Sequence, residues 1–150
     1  MIPDFIDING PFRVLPPGIH KASLSEIEAR FAFNSHRLEL FKGLELALFE
    51  LKKSGCREVY IDGSFITDKD FPSDYDGCWE HIGINQSALN PVFLDFKNNR
   101  ANQKNAFKGE FFPARAFATR QGDIFLDFFQ RDKHTGMQKG ILLLDLTLMS

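Results

Sequence analysis

The sequence predicts an α/β (α+β) fold, a small mixed sheet flanked by helices, and three observations predict it. Leu38, Phe41, Leu44, Leu48 and Leu51 recur at spacings of three or four, which marks one apolar stripe along a helix. Arg57–Asp62 and Asp74–Glu80 are short segments whose residues sort onto two faces with period two, as strands do. Ile141 to Met149 is an almost continuous apolar run, too apolar for an exposed edge, and reads as a central or doubly covered strand. The strands near 57–62, 74–80 and 140–148 are expected to be neighbours, with the 35–54 helix against them.

The elements follow in order. Met1 to His20 carries Pro3, Pro11, Pro16 and Pro17, which exclude helix interiors; it reads as an extended arm (1–20) with a short strand around Phe12 to Leu15. Ser23-Leu24-Ser25-Glu26 fits a capping box opening a helix to about Ala32. Asn34 or Ser35 caps the second, longer helix. Lys52 and Lys53 suit the negative end of its dipole, and Gly55 is its left-handed stop. In the first core strand Val59 and Ile61 share one face, Tyr60 and Asp62 the other. In the next, Tyr75, Gly77 and Trp79 oppose Asp74, Asp76, Cys78 and Glu80, with Cys78 expected as a small packing residue. Ile84 to Asn90 holds a short helix or turn. Val92 to Phe107 reads as a helix stopped by Gly109, and Glu110 to Thr119 as a strand that Pro113 confines to an edge or bulge. Phe125, Phe128 and Phe129 fit a helical turn within Ile124–Gln130, and Arg131–Lys139 is a polar turn.

Composition bounds the function. The 150 residues fit one domain with a real core. The 17 Phe against one Trp and two Tyr make that core aromatic. A net charge of −2 argues against non-specific nucleic-acid binding, which needs a basic excess. Cys56 and Cys78 stand alone, without the Cys/His spacing of a zinc site. No signal peptide opens the chain and no apolar run approaches ~20 residues, so a cytoplasmic protein without a membrane span is expected.

The chemistry concentrates in Ile61-Asp62-Gly63-Ser64-Phe65 and, ten residues after Ser64, Asp74-Tyr75-Asp76. Asp74 and Asp76 on one strand face repel each other unless a cation sits between them. Paired carboxylates suit Mg²⁺, which completes its shell with water and substrate phosphates. A Gly63-Ser64 turn beside them offers backbone N–H groups and a hydroxyl to those phosphates. The bland alternative is a solvated face of loop and strand charges. Lys69, in the spacer, fits a phosphate contact or a solvated loop equally well. The stretch from Asn98 to Asn105, with Arg100, Lys104 and Lys108, reads as a solvated helical face, or as a rim for a polyanionic ligand.

A hydrophobic strand, Gly63-Ser64, a spacer and Asp74-Tyr75-Asp76 together resemble the signature of the polymerase-β-type nucleotidyltransferases, above all the minimal members of bacteria and archaea, some of which act in toxin–antitoxin modules. Ile2-Pro3-Asp4-Phe5, Leu15-Pro16-Pro17-Gly18 and Lys139-Gly140-Ile141 resemble a poorly characterised bacterial family carrying this core. The resemblance implies Asp74 and Asp76 as ligands of Mg²⁺ (or Mn²⁺), and Gly63 and Ser64 at the phosphates of an NTP, ATP being the expected one. It also implies a third carboxylate from a later strand, completing a two-metal site whose ions stabilise the attacking and leaving oxygens. Glu110 follows the chain order, Asp145 lies within the apolar last run, and Asp127 lies in the Phe-rich segment; the three stay open. The acceptor hydroxyl would belong to a protein, a tRNA end or a small molecule. The competing reading is a binding module that keeps the fold and acts as an antitoxin or regulatory partner of a toxin. A third is a structural domain with a chance match.

Overall fold

The computed structural model describes residues 1–149. It is a mixed α+β fold whose five strands form one sheet in the order β1-β5-β2-β3-β4. The strands are β1 (Gly18–Lys21), β2 (Glu58–Asp62), β3 (Tyr75–Trp79), β4 (Gly109–Pro113) and β5 (Gly140–Asp145); the helices are α1 (Leu24–Phe31), α2 (Ser35–Lys53), α3 (Lys97–Phe107) and the single turn α4 (Phe125–Phe128). β2 pairs antiparallel with both β3 and β5, while β1–β5 and β3–β4 are parallel. The expected adjacency of the strands near 57–62, 74–80 and 140–148 is therefore present, and the last run is central between β1 and β2.

The two sheet faces differ. Val59, Ile61, Tyr75, Trp79, Phe111, Leu142 and Leu144 pack under the helices, against Ile27, Phe31, Phe41, Leu44, Leu48 and Leu51. Aromatic edges supply much of the contact here, as in Phe65–Tyr75–Phe111–Phe93. The other face is half apolar. Tyr60, Cys78 and Ile141 join Ala114, Leu126 and Phe129 in a smaller cluster, and the rest of that face carries acids.

Local signals explain the helices. Ser23 Oγ accepts from the Glu26 N–H and Glu26 Oε1 accepts from the Ser23 N–H, closing the capping box of α1. Asn34, not Ser35, caps α2 by accepting from the Arg37 N–H. Gly55 follows the helix end at φ +95°.

Elsewhere the sequence reading needs correction. The arm strand at Phe12–Leu15 is reduced to bridges from Val14 to Ile6 and Thr67, whereas Gly18–Lys21 is a true edge strand. The helix expected over Val92–Phe107 is broken: Pro91–Leu94 forms a 3-10 turn, and Asn98, Asn99 and Arg100 take left-handed φ of 51°, 58° and 61° before a regular helix begins. Asparagine tolerates that region better than most residues. Lys108, at φ 65°, ends α3 in place of Gly109. Gly109 is instead the first residue of β4, where a Cβ would lie 2.4 Å from the Tyr75 ring. The strand expected to run to Thr119 stops at Pro113, on the edge that proline requires. The last run turns into a 3-10 segment at Leu146–Leu148. Among the described residues, no helix is long and apolar enough to cross a membrane.

Candidate functional site

The site grows from one rung of the sheet. Asp62 on β2 is the register partner of Asp76 on β3, and Asp76 is the partner of Glu110 on β4. Register partners share a face, so three carboxylates stand in a row on the face away from the helices. Asp74, just before β3, joins them: ligand oxygens of Asp74, Asp76 and Glu110 all lie within 4.8 Å of one another. The same-side expectation for Asp74 and Asp76 holds, and among the three rivals Glu110 is the acid beside them. Asp145 sits at the far end of β5, where its exposed carboxylate accepts from the Thr147 N–H and hydroxyl. Asp127 lines the same cleft but stands outside the cluster.

Burial and like charge act on these acids together. Burial, then the charges of Asp62 and Asp74, raise the Asp76 carboxyl well above the usual range. Burial, then Glu110, raises Asp74. Burial raises Asp62, against the attraction of Lys139. Glu110 behaves oppositely: burial pushes it up, but bonds from Arg100, Asp76 and Lys104 hold it below its ordinary value. Burial and like charge thus disfavour the ionised form of Asp76, while its hydrogen-bond partners favour that of Glu110.

Each end of the row has a resident cation. Lys139 Nζ lies 3.2 Å from Asp62 Oδ1, both side chains largely buried. Arg100 Nε and Lys104 Nζ lie 2.9 and 3.1 Å from Glu110 Oε1. The guanidinium of Arg100 also covers the Phe112 ring at 5.3 Å. Arg100 and Lys104 are therefore engaged with protein and do not form a free rim, and Lys108 lines no part of the cleft.

The Gly63-Ser64 turn closes the near side. Gly63 has φ +90° and ψ −174°, and Ser64 opens the 3-10 turn Ser64–Ile66. A Cβ on Gly63 would lie 2.9 Å from Asp76 Oδ2, so only glycine permits this approach. The expected proximity of the turn to the acids is thus present. Beyond lies a cleft of about 750 Å³, lined by the turn, Asp62, Asp74, Asp76, Lys69, Lys133, Lys139, Phe12 and Phe128, among others. Lys69 lines it with Nζ 5.3 Å from the Phe12 ring centroid. The far wall is the Arg131–Lys139 turn, fixed by Asp132, whose Oδ2 accepts from the N–H groups of His134 and Thr135 at 3.1 and 2.8 Å.

Arg37 holds the turn from behind. Its side chain is fully buried, and its donors reach the carbonyls of Phe31, Phe65, Thr67 and Lys69 at 2.5–2.9 Å, with Ser64 O at 3.5 Å. Burial lowers its pKa to about 10, so it remains a cation at neutral pH. It is paired with carbonyl dipoles in place of a carboxylate. The fork of guanidinium donors suits this task, which a lysine could not perform.

Sequence reasoning missed Asp62, Lys139 and Arg37 as site residues. Asp62 and Lys139 carried no spacing signal, because their roles follow from strand register. Arg37 had one: it continues the Phe41–Leu44–Leu48 stripe, and a cation in the first helical turn opposes the dipole. Cys78 is buried on the acidic face with its thiol pushed far up by burial, which fits packing rather than nucleophilic chemistry.

A family model described as Family of unknown function (DUF6932) matches residues 6–145. No curated protein and no solved structure matches the chain.

Proposed function

The chain belongs to the DUF6932 family, and from its site we propose that it is a Mg²⁺-dependent nucleotidyltransferase. It moves a nucleoside monophosphate from an NTP, with ATP the favoured donor, to a hydroxyl of a protein, a tRNA end or a small molecule, forming a phosphodiester at the α-phosphorus and releasing pyrophosphate, within a toxin–antitoxin or defence module in the cytoplasm. The observation that carries this reading is the convergence of Asp74, Asp76 and Glu110 within 4.8 Å of one another beside a turn that only glycine can make.

The donor set fits a hard divalent ion, since it is made of carboxylate oxygens and a cleft open to water and phosphate. Asp74 and Asp76 would hold Mg²⁺ or Mn²⁺, with Glu110 the third ligand. Such an ion neutralises phosphate charge and makes a bound hydroxyl a better nucleophile. The chain's own residues do the rest. Gly63 and Ser64 present backbone N–H groups and a hydroxyl to the phosphates. Lys69 and Lys133 place positive charge on the cleft wall, and Phe12 and Phe128 offer apolar faces to a base. Catalysis by such a site is mainly positioning and charge neutralisation.

Purified protein incubated with α-labelled NTP and Mg²⁺ tests the reading. Label is expected on an acceptor or on the protein itself, and none with Asp74→Asn/Asp76→Asn. A second reading, a nucleotide-binding module that acts as antitoxin or regulatory partner, draws on a specific observation. Glu110 is already neutralised by Arg100 and Lys104. Nucleotide binding without any label transfer would favour it.

A further inference from the structure

We propose that the groove between α1, α2 and the end of β5 is a docking site for a basic, amphipathic protein segment, one that sets apolar side chains between lysines or arginines. This groove shares no lining residue with the carboxylate cleft, so its occupant does not depend on the nucleotidyl-transfer reading.

The groove encloses about 700 Å³. Its floor is part of the core, with Phe41 on α2 and Leu144 on β5 buried. Its walls are apolar too but open to water: Phe49 is 37% exposed and Leu148 77%. Leu46 continues the patch, 59% exposed and one turn before Phe49 on the same side of α2. Contiguous apolar surface rimmed by polar groups marks an interaction site, where isolated exposed side chains would not.

The rim fixes the chemistry of the partner. Glu26, Glu28, Glu45 and Asp145 line the groove against a single basic side chain, Lys21. Among the described residues Glu28 and Glu45 have no ion pair, and Glu26 meets only the exposed Met1 nitrogen at 3.5 Å. Asp145 accepts from the Thr147 N–H and hydroxyl through Oδ1, which leaves Oδ2 available. Carboxylates in excess around an apolar trough attract cations and repel an acidic peptide or an anionic membrane surface. The trough takes the apolar side chains and the rim meets the flanking cations, as when an amphipathic helix lies in a groove. The exposed charges select the partner, and the Phe49 and Leu148 contacts supply most of the affinity.

A labelled helical peptide of leucine and lysine, with its leucines on one face, is the probe, and fluorescence anisotropy on the intact chain reads its binding. The controls are the same peptide with glutamate for lysine and with alanine for leucine. The Leu/Lys peptide should bind at least about tenfold tighter than either control, and more weakly as salt is raised. Phe49→Ser/Leu148→Ser should weaken that binding by about tenfold or more. Glu28→Lys/Glu45→Lys should exchange the preference, taking the glutamate peptide over the lysine one. These variants alter exposed or rim positions, and melting curves like that of wild type show that they fold. Asp74→Asn/Asp76→Asn, in the other cleft, should bind the Leu/Lys peptide as wild type does. Equal or absent binding of the three peptides, a preference that Glu28→Lys/Glu45→Lys leaves unchanged, or loss of binding in Asp74→Asn/Asp76→Asn overturns the inference. So does a wild-type chain that sediments as a dimer and becomes monomeric with Phe49→Ser/Leu148→Ser, because a second copy is then the occupant.

Discussion

Gly63 and Asp76 stand so close that the glycine backbone forms one wall of the aspartate's pocket: a Cβ at residue 63 would be 2.9 Å from Asp76 Oδ2 and 3.0 Å from its backbone nitrogen. Gly63→Ala adds this clash to a backbone conformation that L-residues avoid. A cost of about 2 kcal/mol, or a fall of roughly 4–8 °C in melting temperature, is expected. Asp76→Ala on top of Gly63→Ala should cost less than the two single changes added together. Thermal melts of the four proteins measure this coupling, and strict additivity would mean that the two residues do not press on each other.

The acids of the row should respond to amide substitution with opposite signs. Asp74→Asn/Asp76→Asn relieves like-charge repulsion and strands no ion-pair partner, so the metal-free protein should melt at the same temperature or slightly higher. It should also lose Mg²⁺-dependent transfer. Asp62→Asn leaves the largely buried Lys139 unpaired. Breaking a buried pair costs on the order of 3 kcal/mol or more, a fall of roughly 6–12 °C. Equal shifts for the two variants would show that Asp62 and the Asp74/Asp76 pair share one role.

The raised carboxyls give a pH signature. The folded protein holds protons on Asp62, Asp74 and Asp76 to higher pH than the unfolded chain, whose aspartates titrate near ~3.9. Their contribution therefore favours the fold at low pH and is lost as pH rises through the raised values. Glu110, held low, works in the opposite sense: its contribution is lost as pH falls toward its lowered value. In metal-free buffer, the melting temperature of wild type relative to Asp74→Asn/Asp76→Asn should fall as pH is raised above about 4. Mn²⁺ competes with the same protons, so its affinity should rise over that range, with protons released on binding. A difference curve flat with pH would show that the acids are not perturbed.

Nucleotide and Mg²⁺ should each strengthen the other's binding. Phosphates beside two unpaired carboxylates are repelled until a cation bridges them. Calorimetric titration of ATP with and without Mg²⁺ checks this, and equal affinities would remove Asp74 and Asp76 as metal ligands.

Arg37→Met should be the most damaging single change outside the acids. It keeps much of the volume but leaves several buried carbonyls without donors, and hydrogen bonds to a charged group contribute about 1.5–3 kcal/mol each. A loss of at least about 3 kcal/mol is expected, and Arg37→Lys should recover only part of it. A melting curve within two degrees or so of wild type would show that the Ser64–Lys69 turn does not depend on this residue.

Much of this molecule was legible before any coordinates. The stripe of α2, the caps at Ser23 and Asn34, the strand neighbours and the side-by-side placement of Asp74 and Asp76 follow from period, capping chemistry and spacing. These are local properties of the chain. What escaped was set by register and distance. Asp62 looks like any strand-end acid until β3 pairs beside it. Lys139 becomes a site residue only because the turn before β5 folds over the cleft. The break in the helix at Asn98–Arg100 falls on two asparagines, weak helix formers whose local signal was passed over, and Arg100 reaches Glu110 from it.

The central place of β5 has a consequence for how the chain is made. Of the five strands it leaves the ribosome last, yet it carries the pairing of both β1 and β2. Until residues 140–145 emerge, β1 has no partner and β2 offers a bare edge with Val59 and Ile61 behind it. The helices can form early from local contacts, but the sheet waits for a strand more than 75 residues after β2. The centre of the sheet therefore forms only once β5 is available, and until then the nascent chain displays an open β2 edge, a natural client for a holding chaperone.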